Sequence, residues 1–446
     1  ERPASPASAS AADAPPSTEA GVFAGYAGSA ACRECHAEAW QAWQDSHHAL
    51  AERPWEPALD DAAFAPSAHR PAHLGAEPDR GPDGQARIVT AGLDCRPRGF
   101  AVGRVIGHDP LRQYLIDVGA GRWQTASASW DPHRGEWFDV FGAESRQPGD
   151  WGHWTGRGMT WNSQCASCHN TRVRKNYDPA TDGFRTAMAG RTVGCEACHG
   201  PGRAHAEWRR THPGGQSAEP GHARLTRAQH LDACGSCHAR RTELTGDFVP
   251  GDRFDDHFGL VTVDETDTYH ADGQVRDENY EFGSFAGSRM GAAGVHCLDC
   301  HQPHTGKRLL PGDALCQRCH AAGLSGAPVI VPSAHTFHRS DSPGARCENC
   351  HLPQTTYMQR HPRHDHGFTI PDPALTRELG IPNACNRCHD DRDVAWAEEA
   401  ANRWYGRRLE RPTRARARVV AAARRGDPGA RAGLLELATR TQHPPY

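Results

Sequence analysis

Cysteine and histidine carry the most evident chemistry in this sequence, with 17 Cys and 29 His in 446 residues. Sixteen of the 17 cysteines fall into eight copies of one pattern. The copies are Cys32-x-x-Cys35-His36, Cys165-x-x-Cys168-His169, Cys195-x-x-Cys198-His199, Cys234-x-x-Cys237-His238, Cys297-x-x-Cys300-His301, Cys316-x-x-Cys319-His320, Cys347-x-x-Cys350-His351 and Cys385-x-x-Cys388-His389. Two thiols three positions apart add to the two vinyl groups on one edge of a haem, and the histidine that follows offers a ring nitrogen to the iron. Zinc sites also use paired Cys-x-x-Cys, but zinc has no need of a histidine directly after the second cysteine in every copy. The expected cofactor set is therefore eight covalently bound c-type haems. Only Cys95 is left over, as a buried free thiol or one half of an intermolecular disulfide.

The other 21 histidines decide what the irons do. An iron with imidazole on both faces moves electrons, whereas one lacking its second ligand has room to bind and transform a small molecule. Local context marks several candidates. His47 follows the first motif in a segment where Trp40, Trp43 and His47 share a helical face. His205 lies just past His199, across the Gly200-Pro201-Gly202 turn. His304 follows His301 across Pro303, and His335 and His338 form a close pair between the sixth and seventh motifs.

These sites need elements to position them. Residues 1–24, rich in Ala, Ser and Pro, read as a flexible tether. Residues 25–55 hold the first haem. Residues 56–160 contain no motif, and their β-forming runs (Phe100–Ile106, Gln113–Val118, Arg122–Trp130) predict a small antiparallel β insert that shields haem edges. The seven motifs over 161–395 start 30, 39, 63, 19, 31 and 38 residues apart. That spacing leaves one or two short helices per haem, so the haems must share walls. Residues 396–446 form an Arg-rich helical segment, either a charged cap or a docking surface for an acidic partner. The expected fold class is thus a mainly α multihaem cytochrome with little regular structure, a small antiparallel β insert between haems 1 and 2, and a helical C-terminal cap.

Composition agrees. Hydrophobic residues are 37% of the chain and its mean hydropathy is −0.72, low for so long a chain unless porphyrins supply part of the core. Lys+Arg 50 against Asp+Glu 54 gives a net charge of −4, which excludes a strongly basic nucleic-acid binder. The absence of an 18-residue apolar run argues against a membrane-spanning helix. Haem attachment of this kind follows export, and a numbering that starts at Glu1 with no leader fits a mature periplasmic or extracellular protein. The acidic stretch from Asp264 to Glu281 offers oxygens for a calcium ion, although without the spacing of a known loop.

Longer matches carry a family resemblance: His153-Trp-Thr-Gly-Arg157, Trp161-Asn162, Cys195-Glu-Ala-Cys-His-Gly-Pro-Gly202, Tyr269-His-Ala-Asp-Gly-Gln274, Tyr280-Glu-Phe-Gly-Ser-Phe285, His301-Gln-Pro-His304, Asp365-His366-Gly-Phe368 and Pro382-Asn-Ala-Cys385. Over about Ala31–Gly406 the chain resembles the octahaem c-type cytochromes of the hydroxylamine oxidoreductase and tetrahaem cytochrome superfamily, in the subgroup with C-terminal helical repeats. The resemblance implies a distal set of His47, His153, His205, His270, His304, His335, His338 and His366, with His48, His230, His257, His296 and His364 in reserve. Reductases of the superfamily often carry Lys for the proximal His at the catalytic haem, and here all eight motifs end in His. Hydroxylamine-oxidising relatives modify a haem through a Tyr, which keeps Tyr269, Tyr280 and Tyr357 in view. The expected function is an exported relay of closely packed bis-His haems passing electrons to redox partner proteins or to copies of itself, the latter as a filament. The alternative is an oxidoreductase acting on nitrite, hydroxylamine or tetrathionate at one open haem.

Overall fold

The computed structural model describes residues 19–214 and 224–439. Most of the expected tether lies outside that range, but its last six residues, Glu19–Ala24, form a helix. The buried Val22 and hydrogen bonds from the Arg203 guanidinium to the carbonyls of Ala24 and Tyr26 fix this segment to the body, so the tether ends earlier than composition suggests.

The β insert is larger than expected and begins before residue 56. Strands β1 (Glu52–Pro54), β2 (Ala76–Arg80), β3 (Ala86–Ala91), β4 (Pro97–Ile106), β5 (Arg112–Asp117), β6 (Trp123–Asp131) and β7 (Glu136–Asp139) form one antiparallel sheet. Strands β2 to β7 pair in chain order as a meander, while β1 joins the C-terminal half of β4, Glu52 opposite Ile106. Register shifts within β4–β5 and β5–β6 bend the sheet, as bulges do. It packs on the largest apolar cluster among the described residues, with Phe64, Ile88, Val105, Tyr114, Ile116, Trp130 and Trp137 among its buried members. Cys95 sits in the β3–β4 hairpin turn with a positive φ of 59° and is exposed, so the buried-thiol expectation does not hold.

Elsewhere the described chain is made of four two-stranded antiparallel ladders and short helices: α1 (Ala37–Trp43), α2 (Arg203–Thr211), α3 (Arg227–His238), α4 (Pro373–Leu379), α5 (Val394–Tyr405), α6 (Pro412–Arg424) and α7 (Ala430–Thr439), with many single turns between them. "Mainly α" therefore understates the sheet: helices outnumber strands, yet the best-packed unit is antiparallel β. No helix among the described residues is long and apolar enough to cross a membrane.

Several arginines of the C-terminal segment are engaged with the chain itself. Arg414 forms a bidentate pair with Asp372, Arg418 with Glu378, and Arg377 of α4 with Glu398 of α5. These pairs knit α4, α5 and α6 into the cap.

Candidate haem centres

Most motifs fold as a single helical turn, while the fourth closes the longer helix α3 and the sixth ends the helix Ala314–His320. His36, His169, His301 and His389 donate their backbone N–H to the carbonyl of the first cysteine in their motif, at 2.9, 3.2, 2.9 and 2.9 Å. One turn places positions i, i+3 and i+4 on a common face, which is what two thioethers and an axial imidazole on one porphyrin need.

Six motif histidines face a second histidine ring. The centroid separations are 6.1 Å for His36–His205, 6.3 Å for His199–His304, 6.2 Å for His238–His48, 6.4 Å for His301–His366, 6.1 Å for His351–His335 and 6.3 Å for His389–His338. Metal–imidazole bonds are about 2 Å long, so two of them plus the half-widths of two rings put the centroids roughly 6 Å apart across one metal ion. The spread of these pairs is a few tenths of an ångström and each contains one motif histidine. The residues therefore fit a six-coordinate haem iron at six sites.

Of the distal histidines implied by resemblance, His205, His304, His335, His338 and His366 are placed in this way, and His47, His153 and His270 are not. His47 is exposed, and the reserve candidate His48 takes the position opposite His238. Helix α1 ends at Trp43, so the helical projection that selected His47 stops applying. The turn that follows is closed by the Ser46 N–H on the Trp43 carbonyl and by the Ala49 N–H on Ser46 Oγ. His153 hydrogen-bonds Thr155 Oγ1 through Nδ1 and packs beside Trp154. His270 lines a cavity of about 330 Å³ with Arg276, Arg424 and Arg425, where burial and then Arg276 and Arg424 hold its pKa down at about 4. Of the other reserves, His230, His257, His296 and His364, His257 packs on Phe248, His364 hydrogen-bonds the Leu352 carbonyl and His296 caps the fifth motif by accepting from the Leu298 N–H.

Two motif histidines, His169 and His320, face no second imidazole among the described residues. Their Nδ1 atoms meet the carbonyls of Ala51 at 3.0 Å and Pro328 at 2.9 Å, as His351 does with Thr369 at 2.6 Å. His238 differs: its Nδ1 lies 3.2 Å from the Glu281 carboxylate. Burial alone would raise the Glu281 carboxyl, but the hydrogen bond and charge of His238, helped by Arg363, hold it down at about 2.

Buried carboxylates that sequence reasoning passed over organise the scaffold. Glu196, inside the third motif, accepts from the backbone N–H groups of Ala27 and Gly28 at 2.8 Å and of Gly202 at 2.7 Å. This clamp holds the first-motif loop against the start of α2, which carries His205. Glu52 pairs with Arg104 at 2.6 Å and accepts from Trp161 Nε1 and Asn170 Nδ2, both at 2.7 Å. It thereby bolts the second motif to the sheet, one residue from the carbonyl that receives His169. The Arg104 guanidinium is itself stacked between Trp123 and Trp161, at 3.9 and 4.2 Å from their centroids. The only sequence signal for these residues is an acid placed in or beside a motif or strand.

Beside the second motif stands a polar aromatic cluster. Tyr280 is within electrostatic reach of the Cys165 and Cys168 thiols. Its ring centroid is 6.5 Å from that of Tyr357, and the Arg363 guanidinium lies over both rings, at 5.2 and 4.5 Å. His361 pairs with Tyr357 across the Gln354–Tyr357/His361–His364 hairpin, and burial with the charge of Arg363 holds its pKa down at about 4. Arg360 fixes this hairpin to the sheet through Asp131 and Glu136. Tyr269, by contrast, is buried away from the cluster, in the wall of the His270 cavity.

Contacts between cysteines order the sites. Thiols lie within hydrogen-bonding reach at Cys32–Cys195, Cys168–Cys237, Cys234–Cys297 and Cys316–Cys347. Cys198 is close to Cys234, Cys300 to Cys316 and Cys319, and Cys350 to Cys385. With sites numbered along the chain, the run is 1–3–4–5–6–7–8, and site 2 branches from site 4. At the far end the cap covers the paired histidines of sites 7 and 8: the Tyr405 hydroxyl donates to the His335 carbonyl at 2.7 Å, and Trp396 and Trp404 pack on His389 and His338. Among the described residues no group of three or more His, Cys, Asp or Glu converges as a metal cage. In the acidic stretch, Asp272 instead accepts from Gln274.

Comparison with known proteins agrees with this chemistry. A family model of the doubled CXXCH motif matches residues 290–324, and one of cytochrome c554 and c-prime matches residues 31–72 and 148–200. Sequence comparison with characterised proteins finds no match. Among solved structures, the crystal structure of outer cell wall cytochrome OcwA is similar over 94% of this chain and 98% of that one, with a TM-score of 0.57 and 17% identity.

Proposed function

We propose that this chain, a multihaem c-type cytochrome, relays electrons through eight thioether-linked haems, six of them held between two histidines. The observation that carries the reading is the set of six motif-to-free histidine pairs at 6.1–6.4 Å. The haems, when bound, supply the redox chemistry. The chain's own residues hold six irons at fixed coordination and place successive attachment edges side by side. Close attachment edges support short transfer steps along 1–3–4–5–6–7–8, with haem 2 as a side branch. An exported location, periplasmic or extracellular, follows from the haem attachment chemistry and fits the likeness to a cytochrome of an outer cell wall.

The second reading is an oxidoreductase, and one observation favours it. His169 faces no second imidazole among the described residues, while Tyr280, Tyr357, Arg363 and His361 gather beside its motif. A guanidinium flanked by phenol and imidazole groups suits a small oxidised nitrogen or sulfur compound bound at an iron with a free face. Electrons would reach that iron through haem 4.

Electron paramagnetic resonance with near-infrared magnetic circular dichroism on the purified ferric protein tests both. The relay reading expects six low-spin bis-His haems, and fewer than six overturns it. A further haem that binds cyanide or nitrite, with turnover abolished by Arg363→Gln, establishes the enzyme. Eight low-spin haems and no turnover remove it. A spin state at His320 that depends on protein concentration would support ligand donation between copies and hence a filament.

A further inference from the structure

We infer that Glu281 sets the potential of the junction haem, and so controls electron exchange between the haem 2 branch and the main run. The inference rests on the relay reading above. Three observations meet at this residue. First, His238 points Nδ1 at the Glu281 carboxylate at 3.2 Å, whereas His169, His320 and His351 point theirs at backbone carbonyls. A carboxylate partner makes the imidazole a more basic ligand and favours ferric over ferrous iron, more strongly than a neutral carbonyl does. Second, haem 4 is the branch point: its cysteines adjoin those of haems 2, 3 and 5. A change in its potential therefore acts on every route between the branch and the run. Third, Glu281 is the first residue of the helix Glu281–Ala286, and the preceding Tyr280 reaches toward the second motif. One short segment thus touches both the junction ligand and the branch site.

The electron balance is simple. Haem 2 and haem 4 exchange one electron at a time, Fe(II) at one becoming Fe(III) as the other is reduced, and no proton or bond changes hands. The Glu281 charge holds haem 4 ferric until its neighbours are reduced. Electrons then cross the junction only as a brief uphill step.

Glu281→Gln keeps the shape and an acceptor oxygen but removes the charge. Potentiometry of the full haem-loaded protein, followed by paramagnetic resonance, should show one low-spin haem shifted to higher potential and the others unmoved. Glu281→Asp, which retains a carboxylate, should return that haem toward its original value. Unchanged potentials in Glu281→Gln, with His238 still a ligand by the low-spin signal, overturn the inference. So does an equal shift in Glu281→Asp and Glu281→Gln, which would mark a purely structural role. A wild-type protein with fewer than six low-spin haems would instead sink the relay reading, so the two failures are distinguishable.

Discussion

The curled sheet and the haem-bearing body are stabilised by different means. The sheet buries a continuous apolar cluster that includes Trp137, Tyr114, Ile88 and Val105, tied by strand pairing over most of its length. Beyond Trp161 the apolar clusters are small: Ala271, Leu375, Ile381, Ala417, Val420 and Ala421 in one, Ala239, Phe254 and Phe258 in another. Most motif helices there are single turns, and even α3, which carries the fourth motif, has only 12 residues, at or below the length at which a helix is stable alone. On the proposed reading such a region takes its core from bound porphyrins, while the sheet closes its core with protein alone. Removing haem should therefore unfold one half and spare the other.

The largest expected effect is on the haem half. Chain produced without haem attachment should lose its fold from about residue 161 onward while the sheet stays intact. Limited proteolysis with mass mapping checks this: a protected fragment spanning roughly 52–139 supports the contrast, and uniform digestion breaks it. Next comes Trp137→Ala. Trp137 is fully buried, with Nε1 donating to the Ala63 carbonyl at 2.6 Å, and its loss should cost the sheet about 3–5 kcal/mol. The haem spectra should not change, as read by denaturant titration followed separately by tryptophan fluorescence and by haem absorbance. Third, Glu52→Gln leaves the buried Arg104 without its counter-charge at the seam between the halves. A cost of about 3 kcal/mol is expected, and here the two probes should move together, because Glu52 also holds Trp161 and Asn170.

The two halves also differ in how far sequence alone describes them. In the haem half, spacing gives the chemistry outright, since Cys-x-x-Cys-His is both the attachment signal and the helical turn that presents it. The alternation in Phe100–Ile106 and Gln113–Val118 likewise points to strands, but not to β1, β2 and β3, and Glu52–Pro54 falls in the segment assigned to the first haem. What spacing cannot supply is the partner across each iron. That depends on where a loop ends, as His48 displaces His47 once α1 stops at Trp43. It also depends on clamps between distant segments, such as Glu196 holding Ala27, Gly28 and Gly202 together. Cys95 shows the same limit, since its exposure follows from a hairpin tip that composition does not reveal.

His270 gives the finest test of this division between chain-made and haem-made structure. The family resemblance makes it an iron ligand, whereas its surroundings make it a neutral imidazole in a cationic cavity of the cap. Burial and the charges of Arg276 and Arg424 depress its folded pKa to about 4, below the ordinary value near 6.5. Between those values the unfolded chain takes up a proton that the folded chain refuses, so stability falls as pH drops from about 6.5 to 4. His270→Asn removes that penalty and should make the acid limb of a stability–pH curve shallower, on the order of 1 kcal/mol. The low-spin haem count should stay as in the parent protein. If the substitution instead converts one low-spin haem to high-spin, His270 reaches an iron, and the cap belongs to the haem-built half.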